Sequence, residues 1–422
     1  MMRLSRFPFT LIYLLLCLCS SPVPVNGQGD RLVDQLKGYV VGLDSADLAG
    51  EGNVRALSGA LPREFQVLGI GEQSHGTSEF FTARLLLIKA LAADPAFAKI
   101  GLEAPMAEVE KLNDYLLEGR GDLRSILRSF RLYGYECPEL VDLVESVGRI
   151  GKARGKAIRF FGFDIQSPFQ SLQNLRDSGV TSDIADSLKS LLHSYELLSN
   201  EIYNHSFGKT DFAELKALSD QVLDKLAVRA QRDAVVRKNI RNYRQFLLLN
   251  DPAYAGAIDA QSEIRDSLMA ENVLAEMEPG QKMVLLAHNA HLQRTPNIFS
   301  KSVGSFLAKQ LAGAYQCIGL TTSYGFYTTF DPKAGHITDK NKVFPGDSTT
   351  WEYHFSKLDQ PVFFFNTALL KKQPKGERLP GRYRLLVYGL AEKQFFDGSL
   401  PDDFDYILHI RQTTGNHSFY LK

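Results

Sequence analysis

The sequence predicts an α/β fold, a mostly parallel sheet flanked by helices, with a helical cap or arm inserted into it. Two observations predict this. Short apolar runs, each ended by a polar turn, alternate with amphipathic stretches through the first half of the chain and resume near residue 283. Between about 182 and 277 the strand signals vanish, and apolar residues recur only at helical spacing.

In chain order, residues 1–27 read as an export signal. Arg3 and Arg6 precede a short apolar run at 11–18 (LIYLLLCL), and Val25 and Gly27 suit the −3 and −1 positions of cleavage before Gln28. The run is too short to span a bilayer, and no other stretch approaches the ~18 apolar residues a membrane helix needs. The first part of the core is expected over 28–175. Its strands are 65–70 (FQVLGI), 100–102 and 158–163 (IRFFGF), with helices near 77–93, 107–118 and 138–153. Strand–helix–strand alternation of this kind implies parallel pairing with right-handed crossovers. Three or four helices are expected over 176–280, marked by Leu188, Leu191, Leu192, then Leu215, Leu218, Val222 and Leu226, then Tyr243, Phe246 and Leu247. Tyr195 and Tyr203 lie on the same stretch. The core returns over 281–422, with strands at 283–287, 317–322, 362–365, 383–387 and 406–410.

Composition narrows the function. Among 422 residues, 48 Lys and Arg balance 48 Asp and Glu, so the basic surplus that nucleic acid requires is missing. Four cysteines cannot staple a chain of this length. Cys17 and Cys19 leave with the signal, and Cys137 and Cys317 form either one disulfide or two buried thiols.

The ionisable residues fall at strand ends. VLGIGE delivers Glu72, with His75 three residues on; KIGLEAP delivers Glu103; FFGFDIQ delivers Asp164; VLLAHNAH delivers His288 and His291. In open α/β sheets, ligands bind beyond the carboxyl ends of the strands, so the four ends point to one shared site. Arg84 lies in an apolar stripe between Phe80, Phe81 and Leu87, Ile88, where a guanidinium needs a carboxylate or a ligand. It either fastens its helix to the sheet through a buried Arg–Glu pair or serves the site. Arg265 has a similar setting beside Leu268 and Met269.

There is no GxSxG elbow, HExxH, GxxxxGK[ST] or helix-opening GxGxxG after the first strand. No cofactor is therefore expected. What remains is hydrolysis by activated water, with a histidine base, carboxylates to orient it and arginines facing developing negative charge. A metal-dependent hydrolase using the same His and Glu cluster, and a binding protein that retains the site without turnover, stay open as alternatives.

The stretch GEQSHGTSEFF (71–81) followed by Arg84 resembles the GE-x-x-HGT-x-E-F…R signature of the erythromycin esterase family. The resemblance continues through LEAP (102–105), FGFD (161–164), RDSLMAEN (265–272) and AHNAH (287–291). It implies an α/β core with an inserted helical region and a cleft between them. It further implies hydrolysis of a carboxylic ester or lactone without a covalent enzyme intermediate, the water being activated by His75. By the same resemblance Glu72, Glu103, His288, Arg84 and Arg265 are the other catalytic positions, while Asp164, His291 and Asn272 are assigned to substrate binding. The expected partner is a small-molecule ester or lactone met outside the cytoplasm, with macrolides one candidate. The oligomeric state is left open.

Overall fold

The computed structural model describes residues 26–178, 182–204, 211–254, 257–372, 379–386 and 392–422. Residues 1–25 of the expected export signal lie outside the described residues, as do Val387 and the Tyr203 side chain.

The strands are β1 (Val41–Gly42), β2 (Val67–Ile70), β3 (Phe97–Pro105), β4 (Arg159–Asp164), β5 (Lys282–Leu286), β6 (Tyr315–Asp331), β7 (His336–Val343), β8 (Val362–Asn366), β9 (Arg382–Arg384), β10 (Phe395–Asp397) and β11 (Tyr406–Thr413). Among the described residues nine of them form one sheet, in the order β1-β8-β11-β6-β2-β5-β3-β4, with β7 hairpinned onto β6. From β11 to β4 every neighbouring pair is parallel, whereas β8 and β1 pair antiparallel at the far edge.

Alternation along the strands shows why both faces are covered. Leu68, Ile70, Ile100, Leu102, Val284 and Leu286 pack into one core, against Phe80, Leu87, Leu143 and Val147 of the helices Ser78–Leu91 and Pro138–Arg154. Val67, Met283 and Leu285 point the other way, into a second core with Met269, Leu307, Trp351 and Phe355. Side chains at successive strand positions face opposite sides, so a strand buried on both faces reads as an uninterrupted apolar run.

Between β4 and β5 lie five described helices: Phe169–Asp177, Ser182–Asn204, Phe212–Ala230, Ala234–Leu249 and Ile258–Ala275. Four of them start within the 176–280 stretch, for which three or four are expected. The fifth, Phe169–Asp177, begins ahead of that stretch, soon after β4, and contributes Leu172 and Leu175 to the same separate core as Leu188, Val222, Tyr243 and Phe246. No helix among the described residues is long and apolar enough to cross a membrane. Cys137 and Cys317 are both buried and unbonded, the two-thiol alternative.

One expected strand is shorter and lies elsewhere. Of residues 383–387, those in β9 pair only with β10, in a ribbon apart from the main sheet. The Arg384 side chain explains this. It is buried and donates to the carbonyl oxygens of Thr322 and Ser323, midway along β6, and of Phe344, which holds the chain against β6 rather than within the sheet. Leu386 N–H then bonds the carbonyl of Gln73, inside the His75 motif.

Candidate active site

The four strands that end in ionisable residues, β2, β5, β3 and β4, are consecutive neighbours in the sheet. Their carboxyl ends therefore open side by side. The crossover from β2 to β3 skips the position that β5 later fills, so His288 arrives between Glu72 and Glu103.

Two glycines allow the β2 turn. A Cβ on Gly71 would lie 1.8 Å from Oδ1 and 3.0 Å from Cγ of Asn289, so the buried Asn289 amide fills the space a side chain would need. Gly76 has φ +74, a left-handed conformation disfavoured for other residues, and its Cβ would meet the Thr328 carbonyl at 2.2 Å. Between these points Glu72 folds back onto its own loop. Its Oε1 accepts from His75 Nδ1 at 2.8 Å, and its Oε2 accepts from Arg84 Nη1 at 3.0 Å. Arg84 Nη2 donates to the Ala287 carbonyl at 2.9 Å. The buried Arg–Glu pair thus fastens the helix Ser78–Leu91 to the sheet and also fixes the carboxylate that holds His75.

Beside it lies a second set of charges. Arg265 forks onto Asp164, with Nε–Oδ1 at 3.1 Å and Nη2–Oδ2 at 2.8 Å, and Nη2 also reaches Glu103 Oε1 at 3.3 Å. His291 gives Nδ1 to Asp266 at 2.8 Å and Nε2 to Glu103 at 3.3 Å. Burial alone would depress His291, but Asp266 and Glu103 outweigh it and push the ring up to about 10. His291 is therefore a cation, and its 3.3 Å approach to Arg265 Nη1 is a contact between two cations that share Glu103. Burial would raise Glu103, yet His291, with His75 and Arg265, holds it well below the usual carboxylate range. Asp164, more than Glu103, keeps Arg265 charged against the cost of its burial.

His288 behaves differently. Its Nε2 faces the carbonyl oxygens of Gln73 at 3.1 Å and Leu386 at 2.9 Å, while Nδ1 accepts from Ala290 N–H at 3.2 Å. That fixes the Nε2–H tautomer. Burial, helped by His75, pushes the ring down to about 3, so it is neutral. Its ring stands 5.0 Å from that of His75, centroid to centroid, and walls the base. Each of the two arginines is engaged by carboxylates, Arg84 by Glu72 in the buried Arg–Glu pair and Arg265 by Asp164 and Glu103. Asn272 turns away from the cluster, its amide donating to the Phe163 carbonyl and to Gln245 Oε1, where it ties the helix Ile258–Ala275 to β4 and the helix Ala234–Leu249.

A small cavity at the strand ends is lined by His75, Glu103, Leu132, Gly134 and Tyr135. The last three come from the loop after the helix Leu123–Ser129. This wall carries no sequence signal, nor do Gln73 and the 386 carbonyl that orient His288. Asp266 has one, since it directly follows Arg265. Among the described residues, no group of three or more His, Cys, Asp and Glu is arranged to hold a metal ion.

The erythromycin esterase family matches residues 94–413, most of the chain. The chain belongs to that family. Erythromycin esterase type II of Escherichia coli is 26% identical over 316 residues, covering 65% of this chain and 74% of that protein. Type I of the same organism is 26% identical over 292 residues, covering 61% and 70%. Family membership supports a hydrolase acting on ester bonds. The matched region carries Glu103, Asp164, Arg265, His288 and His291, and the His75 motif precedes it. Solved structures share the fold. A Bacillus cereus protein superposes with a TM-score of 0.78 at 18% identity, over 92% of this chain and 99% of that one. A succinoglycan biosynthesis protein gives 0.74 at 21%, over 93% and 99%. A histidine-to-asparagine mutant of the erythromycin esterase EreC, in its open conformation, gives 0.66 at 20%, over 85% and 93%.

Proposed function

We propose that this protein is an exported hydrolase that cleaves a carboxylic ester or lactone with water activated by His75. One observation carries the reading: the Arg84–Glu72–His75 chain of hydrogen bonds, which ends at a cavity that Glu103 also lines. Ionised Glu72 accepts from Nδ1, so the neutral ring carries its lone pair on Nε2. Nε2 takes a proton from water as the oxygen adds to the substrate carbonyl carbon. The tetrahedral adduct then collapses, the C–O bond to the leaving group breaks, and the imidazolium returns its proton to the leaving alkoxide. The products are an acid and an alcohol, or one hydroxy acid from a lactone. No bond between enzyme and substrate forms. General-base assistance of this kind contributes about 10²–10⁴-fold.

Export rests on the three-part pattern of residues 1–27. Hydrolysis suits an extracytoplasmic compartment because it needs neither ATP nor reduced nicotinamide. The E. coli relatives named as erythromycin esterases make macrolide lactones the first substrates to try. The test incubates purified protein with erythromycin, other macrolides and a panel of simple esters, with His75→Ala as control. Product from the wild type alone is the expected result. Equal product from both proteins refutes the histidine mechanism, and none from either across the panel favours a binding protein.

A further inference from the structure

The chain beyond residue 413, outside the family-matched region, runs back across the site and touches both sides of the cavity. Along the His75 motif, the Thr414 carbonyl accepts from Ser78 N–H at 3.0 Å, and Thr414 donates N–H and Oγ1–H to the Glu79 carboxylate, each at 2.8 Å. Asn416 N–H bonds the carbonyl of Gly76, the residue after His75, at 2.9 Å. On the opposite wall, Asn416 Nδ2 donates to the Gly134 carbonyl at 2.8 Å, Ser418 Oγ to that of Tyr133 at 3.1 Å, and Phe419 N–H to that of Glu136 at 2.8 Å. The two walls lie in contact: a Cβ on Gly134 would stand 3.5 Å from both His75 Cβ and Gly76 N.

Asn416 is the residue that joins them. It is fully buried, and its own carbonyl accepts from Thr328 Oγ1 at 2.7 Å, while Thr328 N–H bonds the same Gly76 carbonyl at 2.8 Å. A single residue, through its backbone N–H to Gly76 and its side-chain Nδ2 to Gly134, thus ties the backbone beside the base to the loop that supplies Leu132, Gly134 and Tyr135. We propose that Asn416 is a positioning residue for the hydrolysis, fixing the distance between His75 and the facing cavity wall. It does not touch the substrate. This inference rests on the reading of His75 as the base.

Misplacement of a reacting group by about 1 Å lowers turnover on the order of 100-fold. Removing the Nδ2 donor lets the Gly134 wall relax away from His75, so the loss falls on kcat more than on KM. The experiment measures kcat and KM for p-nitrophenyl butyrate, with melting temperature, in wild type, Asn416→Ala, Asn416→Asp, His417→Ala and His75→Ala. Asn416→Asp keeps the side-chain size and the backbone bonds but loses the donor. His417 pairs with Glu139 at the surface and serves as the control for a merely structural strap. Assays are run well below all melting temperatures. The expected result is a kcat lower by about 10- to 100-fold in both Asn416 variants with KM within about twofold, and unchanged kcat in His417→Ala. Wild-type kcat in Asn416→Asp overturns the proposal, as does an equal fall in His417→Ala. If His75→Ala keeps its turnover, the underlying reading fails instead.

Discussion

Replacing Arg84 by Met keeps the length and apolar character of the side chain but removes the cation that faces Glu72. In the wild type the guanidinium lies 3.0 Å from Glu72 Oε2, and the two residues are 1% and 0% exposed, so water cannot take its place. Removing one partner of a buried ion pair costs about 3–5 kcal/mol, because the other charge is stranded. Without its cation, Glu72 loses the hydrogen bond that fixes the carboxylate beside His75, and with it the hold on the tautomer that leaves Nε2 as base. Stability is therefore expected to fall by roughly 3–5 kcal/mol and turnover by about 10²–10⁴-fold. Urea denaturation followed by circular dichroism gives the first quantity, and ester turnover under native conditions the second. Adding Glu72→Gln to Arg84→Met removes the stranded charge, so the double variant regains part of the stability and none of the activity. Arg84→Met with unchanged turnover and a stability loss under about 1 kcal/mol, the scale of a surface change, would refute the coupling.

Arg265→Lys keeps the charge but not the fork onto Asp164, and we expect at least about a tenfold loss of turnover, since a bidentate pair is not replaced by an ammonium; near-wild-type kinetics would contradict this. His291, raised to about 10, stabilises the fold fully below its unfolded value near 6.5, and the contribution is lost as pH rises through 10. His288, depressed to about 3, contributes fully above 6.5 and loses that contribution as pH falls through 3. Urea midpoints measured across pH should decline on both sides of about 6.5. His291→Gln should flatten the alkaline decline and His288→Gln the acid one, each by about 1.4 kcal/mol per pH unit. Buried His409, depressed for the same reason, keeps some acid slope in the His288 variant; limbs that do not respond to these substitutions would refute the assignments.

The strand ends were legible because each element announces itself locally. A doubly buried parallel strand is a continuous apolar run, and an ionisable residue closing it stands out, as Glu72, Glu103, Asp164 and His288 do. Arg84 was legible as buried, and its pairing with Glu72 was one of two open readings. The sequence says nothing of sheet order, since the insertion of β5 between β2 and β3 joins residues about 200 positions apart. The same holds for Asn416 and Gly134, whose bond spans 282 positions. His288 was legible as a strand-end histidine of the site, but its hydrogen-bond partners were not. Only the carbonyls of Gln73 and Leu386, supplied by distant chain, show that its nitrogens are already engaged. The segment 383–387 was legible as a strand only in part: β9 ends at Arg384 and pairs with β10, while the buried Arg384 guanidinium binds backbone carbonyls of distant chain.

The account turns on His75 as the base, and the most direct measurement is kcat of His75→Ala against wild type on the panel ester hydrolysed fastest, with circular dichroism confirming the fold. The account predicts a fall of at least about 10²-fold with an unchanged spectrum. A folded His75→Ala protein that turns over at near the wild-type rate would contradict it.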